Sequence, residues 1–138
     1  ARFECADLTE FAVTDAKVIV LNFVMQFLPP AARLPLLQRL RSQMRSDGLL
    51  IVSEKTHQSD AVLQKFYDGT HLAWKRANGY SELEVSQKRQ SLEQVMIVDS
   101  EEIHNERFSD AGFAHFQTWF RCMNWASFLV EPERPQQQ

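Results

Sequence analysis

From Lys17 to Val24 the chain reads Lys-Val-Ile-Val-Leu-Asn-Phe-Val, an almost unbroken apolar run rich in β-branched residues. Such runs belong to strands buried on both faces, as in parallel sheets covered by helices. Gly48 to Glu54 has the same character. Between them, Pro29-Pro30 precede an apolar stripe at three- and four-residue spacing: Leu36, Leu37, Leu40 and Met44. This spacing predicts a helix from about Leu34 to Met44, with Pro35 in its first turn and Ser46-Asp47-Gly48 as its stop. Strand, helix, strand is a βαβ unit with a right-handed crossover.

Beyond it, Ser59 or Asp60 caps a predicted long helix to about Arg76, with Val62, Leu63, Phe66, Tyr67 and Trp74 as its apolar positions. Asn78-Gly79 breaks that helix, and a second is predicted from about Ser81 to Val95. Asp99-Ser100-Glu101-Glu102 has the D-x-x-E form of a capping box and opens a third, which ends at Ala111-Gly112. Phe113 to Cys122 and Trp125 to Glu131 read as two strands of a hairpin turned at Met123-Asn124. The resulting division is a domain over 1–131, with a helical insertion at about 59–97, and a polar tail at 132–138 expected to be frayed. An α/β sheet finishing in an antiparallel hairpin matches the second half of the Rossmann-like class I methyltransferase fold. That order of elements does not by itself specify a function.

The length, 138 residues, suits one domain but not the two βαβαβ halves of a complete doubly wound nucleotide-binding enzyme. Ala1 to Leu8 read as the end of a strand already under way, and there is no initiator Met, so the chain is expected to start partway through a domain. Net charge is −3 and the pI is near 5.8, which argues against a strong drive toward nucleic acid. Cys5 and Cys122 could form one disulfide, but without a secretory signal a reduced, cytoplasmic chain is expected. No apolar stretch approaches the roughly 18 residues a membrane span needs.

Several kinds of chemistry leave no trace in the sequence. There is no G-x-G-x-x-G, no phosphate-binding G-x-x-x-x-G-K-[ST] and no G-x-S-x-G nucleophile turn. No cysteine or histidine pair has metal-ligand spacing, and His57, His71, His104 and His115 are scattered. Ligands of open α/β sheets bind beyond the carboxyl ends of the strands, which directs attention to three places. Asp7-Leu8 follows the expected strand Arg2 to Cys5: the carboxylate could accept from an adenine amino group beside the Leu8 backbone N–H, or simply start a turn. Asn22 sits within an apolar strand, where burial unpaired costs roughly 1–3 kcal/mol, so it must find protein partners or face a ligand. Lys75 to Arg89 is dense in polar and planar residues. It reads either as a solvated helix–turn–helix with pairs such as Glu84–Lys88, or as a lid or subunit contact that brings arginine to an anion.

The residues now specify a family. Val20-Leu21-Asn22-Phe23 with Gln26-Phe27-Leu28, Leu50-Ile51-Val52-Ser53-Glu54-Lys55, and above all Lys75-Arg76-Ala77-Asn78-Gly79-Tyr80-Ser81-Glu82-Leu83-Glu84 with Ser86-Gln87-Lys88-Arg89 carry the likeness. Leu92-Glu93, Val95-Met96 and Ala111-Gly112-Phe113 continue it. On these strings the chain resembles the carboxy-S-adenosyl-L-methionine synthases, relatives of class I methyltransferases, over essentially its whole length to about Val130.

The resemblance implies an enzyme that converts S-adenosyl-L-methionine and prephenate to carboxy-S-adenosyl-L-methionine and phenylpyruvate without a metal. A separate enzyme then uses the product on the tRNA wobble uridine, so no direct tRNA binding is expected. It places Asp7 and Leu8 at the adenine, Asn22 near the methionine-side portion of the cofactor, and Arg89 at the added carboxylate, reaching across from the second subunit of a homodimer. Arg76 and Tyr80 share the signature without an assigned role. The family's glycine-rich loop, the acidic residue after its second strand and an N-terminal tyrosine have no counterpart in this chain. The chain alone is therefore expected to hold the cofactor weakly or not at all, and to expose the edge of a half-sheet. Two other readings are an ordinary methyltransferase of the same fold acting on a small molecule, and a non-catalytic dimerisation fragment.

Overall fold

Two parallel strands joined by a helix form the first half of the sheet, and an antiparallel hairpin completes it. The computed structural model describes residues 3–93 and 95–132, apart from the side chains of Lys88, Arg89 and Glu93. In chain order the elements are β1 (Ala16–Asn22), α1 (Pro30–Gln43), β2 (Met44–Lys55), α2 (Ala61–Ala77), α3 (Glu82–Glu93), α4 (Glu101–Asp110), β3 (His115–Cys122) and β4 (Trp125–Glu131). A short 3₁₀ turn, Met25–Phe27, follows β1. The sheet order is β1-β2-β4-β3, with β1 and β2 parallel and the other pairs antiparallel.

The expected elements are present, with informative shifts. The helix α1 starts at Pro30, not Leu34, because Pro30 occupies N1 with its φ already set for a helix. Pro35 is therefore inside the helix and removes a ladder hydrogen bond instead of sitting in the first turn. Ser46-Asp47-Gly48 does not lie between helix and strand. These residues belong to β2, in an irregular stretch where the pairing jumps from Ala16–Met44 to Val18–Leu49. Only glycine fits there: a Cβ on Gly48 would meet the Arg45 carbonyl oxygen at 2.8 Å and the Lys17 carbonyl oxygen at 3.1 Å. The strand expected from Arg2 to Cys5 is absent over its described residues 3–5, since among the described residues no strand is paired to the outer edge of β1 to receive its hydrogen bonds. Ala1, Arg2 and the tail at 133–138 lie outside the described residues.

Nor is β1 buried on both faces. Leu21 is buried and Ile19 packs against the core, whereas Val18 and Val20 are each 56% exposed. Both core-forming helices, α1 and α4, pack on the Ile19–Leu21 face. There Leu36, Leu37, Leu40, Phe108 and Ala111 meet Leu21, Leu50, Val52, Phe128 and Val130. Among the described residues no helix covers the other face.

One buried cation organises the inner side of this core. The Arg33 side chain is fully buried; its Nε and Nη2 donate to the Leu28 carbonyl at 3.1 and 3.0 Å, and Nη2 also to the Ile97 carbonyl at 2.9 Å. Its Nη1 reaches Asp99 Oδ2 at 2.5 Å, an oxygen shared with Arg107 at 2.7 Å. Burial pushes the Asp99 carboxyl up, but the hydrogen bonds and charges of Arg107 and Arg33 hold it below its ordinary value. The expected D-x-x-E cap is thus displaced by one residue. Ser100 is the N-cap of α4, accepting from the Ile103 N–H at 3.4 Å, because the Asp99 carboxylate is committed to the two arginines.

Arg33→Met is expected to destabilise the protein by about 2–4 kcal/mol in urea denaturation, since it leaves the Leu28 and Ile97 carbonyls without their donor and Asp99 with Arg107 alone. His104 gives a pH signature. It is buried against Phe108 and Phe128, and desolvation, then the nearby Arg107 charge, lowers its pKa to about 4. Between an unfolded value near 6.5 and about 4, the unfolded chain binds a proton that the fold refuses. Stability therefore falls as pH falls across that window, by on the order of 3 kcal/mol. The raised Glu54 carboxyl works in the opposite sense, so the wild type is compared with His104→Leu at pH 7 and pH 4.5. The variant should lack this component.

Candidate functional site

The polarity of α2 is inverted, and this creates the site. Gln64, Asp68, His71, Leu72 and Lys75 recur at helical spacing on the side facing the sheet ends, while Val62, Phe66 and Trp74 are 79%, 64% and 55% exposed. These apolar positions of the expected helix therefore face outward: α2 has no buried residue, because its inner side covers a cavity and not a core. Asp60 caps the helix as expected, accepting from the N–H groups of Val62 at 2.7 Å and Leu63 at 3.0 Å. Gly79, at φ +86°, turns the chain into α3. That helix opens with a reciprocal cap, Ser81 Oγ accepting from the Glu84 N–H and Glu84 Oε2 from the Ser81 N–H.

The cavity beneath α2 and α3 has a volume of about 500 Å³. Its floor is Phe23, Gln26 and Phe27 from the turn after β1, with Lys55, Thr56 and His57 from the end of β2. Val85, Leu92, Met96 and Val98 close one side, and Trp125 the other. The His71 ring meets Trp125 edge-on at 4.6 Å and stacks with Trp74 at 6.3 Å. Asp68 is engaged at both oxygens, Oδ1 accepting from Asn124 Nδ2 at 2.8 Å and Oδ2 from Gln64 Nε2 at 2.9 Å. His57 donates its Nδ1–H to the Val98 carbonyl at 3.3 Å.

Two ammonium groups, Lys55 and Lys75, and two imidazoles thus share a largely apolar, aromatic-walled space with one carboxylate that is itself bridged to the hairpin turn. This lining suits an organic anion with a flat apolar body. Among the described residues no cluster of three or more His, Cys, Asp or Glu could hold a metal ion. No helix among them is long and apolar enough to cross a membrane. Cys5 and Cys122 are exposed free thiols.

Of the residues singled out by sequence, Asp7, Leu8 and Asn22 do not line this cavity, whereas Lys75 and Val85 of the polar segment do. Asn22 ends β1, exposed on the same face as Val18 and Val20, and its side chain has no hydrogen-bond partner among the described residues. The next residue, Phe23, enters the cavity wall. Asp7 is exposed and starts a turn: Oδ1 accepts from the Thr9 N–H at 2.8 Å and the Thr9 hydroxyl at 2.6 Å, which holds its carboxyl below the ordinary range. Leu8 packs on the core edge, and Arg39 of α1 donates to the Leu8 and Thr9 carbonyls. Arg89 falls within α3, with its side chain outside the described residues. Arg76 pairs with Glu82 at 2.5 Å across the α2–α3 turn, and Tyr80 is partly exposed there. Gln64 and Asp68 carried no signal in the sequence and His71 stood there only as a scattered histidine, although with Lys75, which opens the polar segment, their 4-3-4 spacing marks one face of a helix.

No family model matches the chain. The carboxy-S-adenosyl-L-methionine synthase of Geobacter metallireducens is 49% identical over 126 residues, 91% of this chain and 52% of the relative. That of Aeromonas hydrophila subsp. hydrophila is 47% identical over 134 residues, 94% of this chain and 54% of the relative. The chain spans about half the length of the curated relatives it matches. Among solved structures, human N-acetylserotonin methyltransferase in complex with SAM superposes with a TM-score of 0.62 at 16% identity, over 94% of this chain and 33% of that one. PigF with SAH gives a TM-score of 0.61 at 17% identity, over 91% and 33%. At such identities the structural likeness establishes the fold alone: the sheet with its terminal hairpin is part of a class I methyltransferase fold. Identity of nearly one residue in two across nine-tenths of its length shows that the chain belongs to the carboxy-S-adenosyl-L-methionine synthase family.

Proposed function

We propose that this chain forms the part of a carboxy-S-adenosyl-L-methionine synthase that carries the prephenate cavity and one edge of the S-adenosyl-L-methionine site. The observation that carries this reading is the 49% identity to a synthase of that name, which includes the strand ends and the insertion that enclose the cavity. In the reaction, prephenate loses carbon dioxide and, as its ring aromatises to phenylpyruvate, hydroxide. The sulfonium methyl group of the cofactor gives up a proton to that hydroxide, and the resulting ylide carbon forms a bond to the carbon dioxide. Prephenate is a flat-bodied dianion, which matches the aromatic walls and the Lys55 and Lys75 ammonium groups.

Asp7, Leu8 and Asn22 border the cofactor. Thr9 occupies only Oδ1 of Asp7, so Oδ2 remains for an adenine amino group. The exposed Asn22 amide lies at the carboxyl end of β1, where open α/β sheets receive their ligands. Arg89 meets the new carboxylate from a second copy of the protein, with a guanidinium fork suited to that group. The product serves a separate enzyme of tRNA wobble-uridine modification in the cytoplasm, and this protein handles small molecules alone. A net charge of −3 accords with that division of labour.

In the full-length protein, native mass spectrometry of the copurified ligand should show carboxy-S-adenosyl-L-methionine; S-adenosyl-L-methionine alone would instead indicate an ordinary methyltransferase. Arg89→Leu should lose the carboxylated species while retaining S-adenosylhomocysteine, and equal loss of both would remove its carboxylate-specific role. Lys55→Met should raise the KM for prephenate by roughly 10- to 100-fold in a phenylpyruvate-release assay, the value of a charged hydrogen bond in a desolvated site.

A further inference from the structure

The 3₁₀ turn at Met25–Phe27 has no capping side chain of its own, because Val24 stands at its N-cap. The first N–H groups of such a turn need acceptors. They are supplied from the neighbouring strand by Glu54, which is fully buried. Glu54 Oε1 accepts from the Val24 N–H at 3.1 Å and the Met25 N–H at 2.8 Å, and Oε2 from the Gln26 N–H at 3.1 Å. Gln26 answers in kind, its Oε1 accepting from the Lys55 N–H at 3.0 Å while its carbonyl accepts from the Ile97 N–H at 2.9 Å. The Phe23 N–H donates to the Ser53 carbonyl at 2.8 Å, with Phe23 itself held at φ +57°. A valine in place of Glu54 would suit the sheet but leave three N–H groups unpaired.

We propose that Glu54 is a positioning residue of the ligand site: its buried carboxylate fixes the turn after β1, and through it the Asn22 amide and the Phe23–Phe27 wall of the cavity. Both of its oxygens are taken by backbone N–H groups beneath the turn, so it acts through its neighbours and touches no ligand. The proposal rests on the functional reading above in that Asn22 is taken to meet the cofactor.

Glu54→Gln in the full-length protein keeps the side-chain volume and one acceptor oxygen, but sets an NH₂ group against an N–H of the turn. Titration calorimetry with S-adenosylhomocysteine, on the wild type, Glu54→Gln, Asn22→Ala and the double variant, tests the coupling. Glu54→Gln should weaken binding by about tenfold, as a displaced binding group does. The double variant should bind no more weakly than Asn22→Ala alone, because one residue acts through the other. Additive losses, or a Glu54→Gln affinity within about twofold of the wild type, overturn the proposal. Amide hydrogen exchange on the wild type gives a second measurement that needs no variant to fold. The N–H groups of Val24, Met25 and Gln26 should exchange as slowly as those of Leu50 and Val52, and rates like those of exposed loop amides would show that the clamp does not hold. A wild type that binds no S-adenosylhomocysteine overturns the functional reading, and this proposal with it, whereas slow exchange at 24–26 in that case would confine Glu54 to shaping the fold.

Discussion

The guanidinium of Arg33 is the constraint around which the rest of the molecule is arranged. A buried arginine carries five N–H donors and a charge, and each must be met or the fold loses several kcal/mol. Meeting them draws together the Leu28 carbonyl beyond the 3₁₀ turn, the Ile97 carbonyl where the insertion returns, and the Asp99 carboxylate before α4. Glu54 performs the complementary task on the same segment, gathering N–H groups of residues 24–26 where Arg33 gathers the carbonyl of residue 28. One anion and one cation thus hold the loop after β1 from its two ends. Neither is needed for the bulk of the core, which Leu37, Leu50, Phe108 and Phe128 supply. Their demand for partners selects one path for this loop, as apolar packing alone would not.

A floor built in this way differs in kind from its roof. No residue of α2 is buried, and the helix reaches the hairpin turn through Asp68–Asn124 and the contact of His71 with Trp125. Asn124 repays that link inside the sheet, its carbonyl accepting from the Thr56 N–H at 2.6 Å. The insertion is therefore anchored to the end of β2 through the hairpin turn, and its polar stripe is turned toward the cavity by hydrogen bonds more than by apolar burial. Segments held by few buried contacts open at lower free energy than the core, and here they are the segments that enclose the ligand space.

Much of this was legible from residue order. The βαβ unit, the Asn78-Gly79 break, the Ala111-Gly112 stop and the Met123-Asn124 hairpin turn follow from apolar periodicity and from turn residues with their preferred φ. The K-R-A-N-G-Y-S-E-L-E string was specific enough to name the family. What escaped was decided by contacts distant in sequence. Asp99 reads as a helix cap until Arg33 claims it, 66 residues away in the chain. Val18 and Val20 read as doubly buried because β-branched composition records what a strand can bury, not whether a covering layer is present. The apolar positions of α2 predict a helix without saying which side faces inward, and it is the polar stripe of Gln64, Asp68, His71 and Lys75 that turns toward the cavity. Glu54 passes as an ordinary strand end, since nothing local announces that the turn 30 residues earlier lacks a cap.

The alternation of side chains along a strand explains why so few residues settle the chemistry. In β2, Leu50, Val52 and Glu54 point to the helix-covered face, so Ser53 and Lys55 point to the other. The parallel register Leu21–Val52 and Asn22–Ser53 then puts Leu21 with the core and Asn22 with the open face. A slip of one residue would exchange these sets, placing a lysine under the turn and a carboxylate in the cavity. Apolar residues alone specify that register weakly, because both faces of β1 carry apolar residues, Ile19 and Leu21 on one and Val18 and Val20 on the other, and either could pack. The reciprocal bonds of Glu54 to the 24–26 N–H groups and of Gln26 to the Lys55 N–H have only one solution. The hydrogen-bond demand of a buried carboxylate therefore fixes the register, and the register in turn decides which side chains face the ligand space.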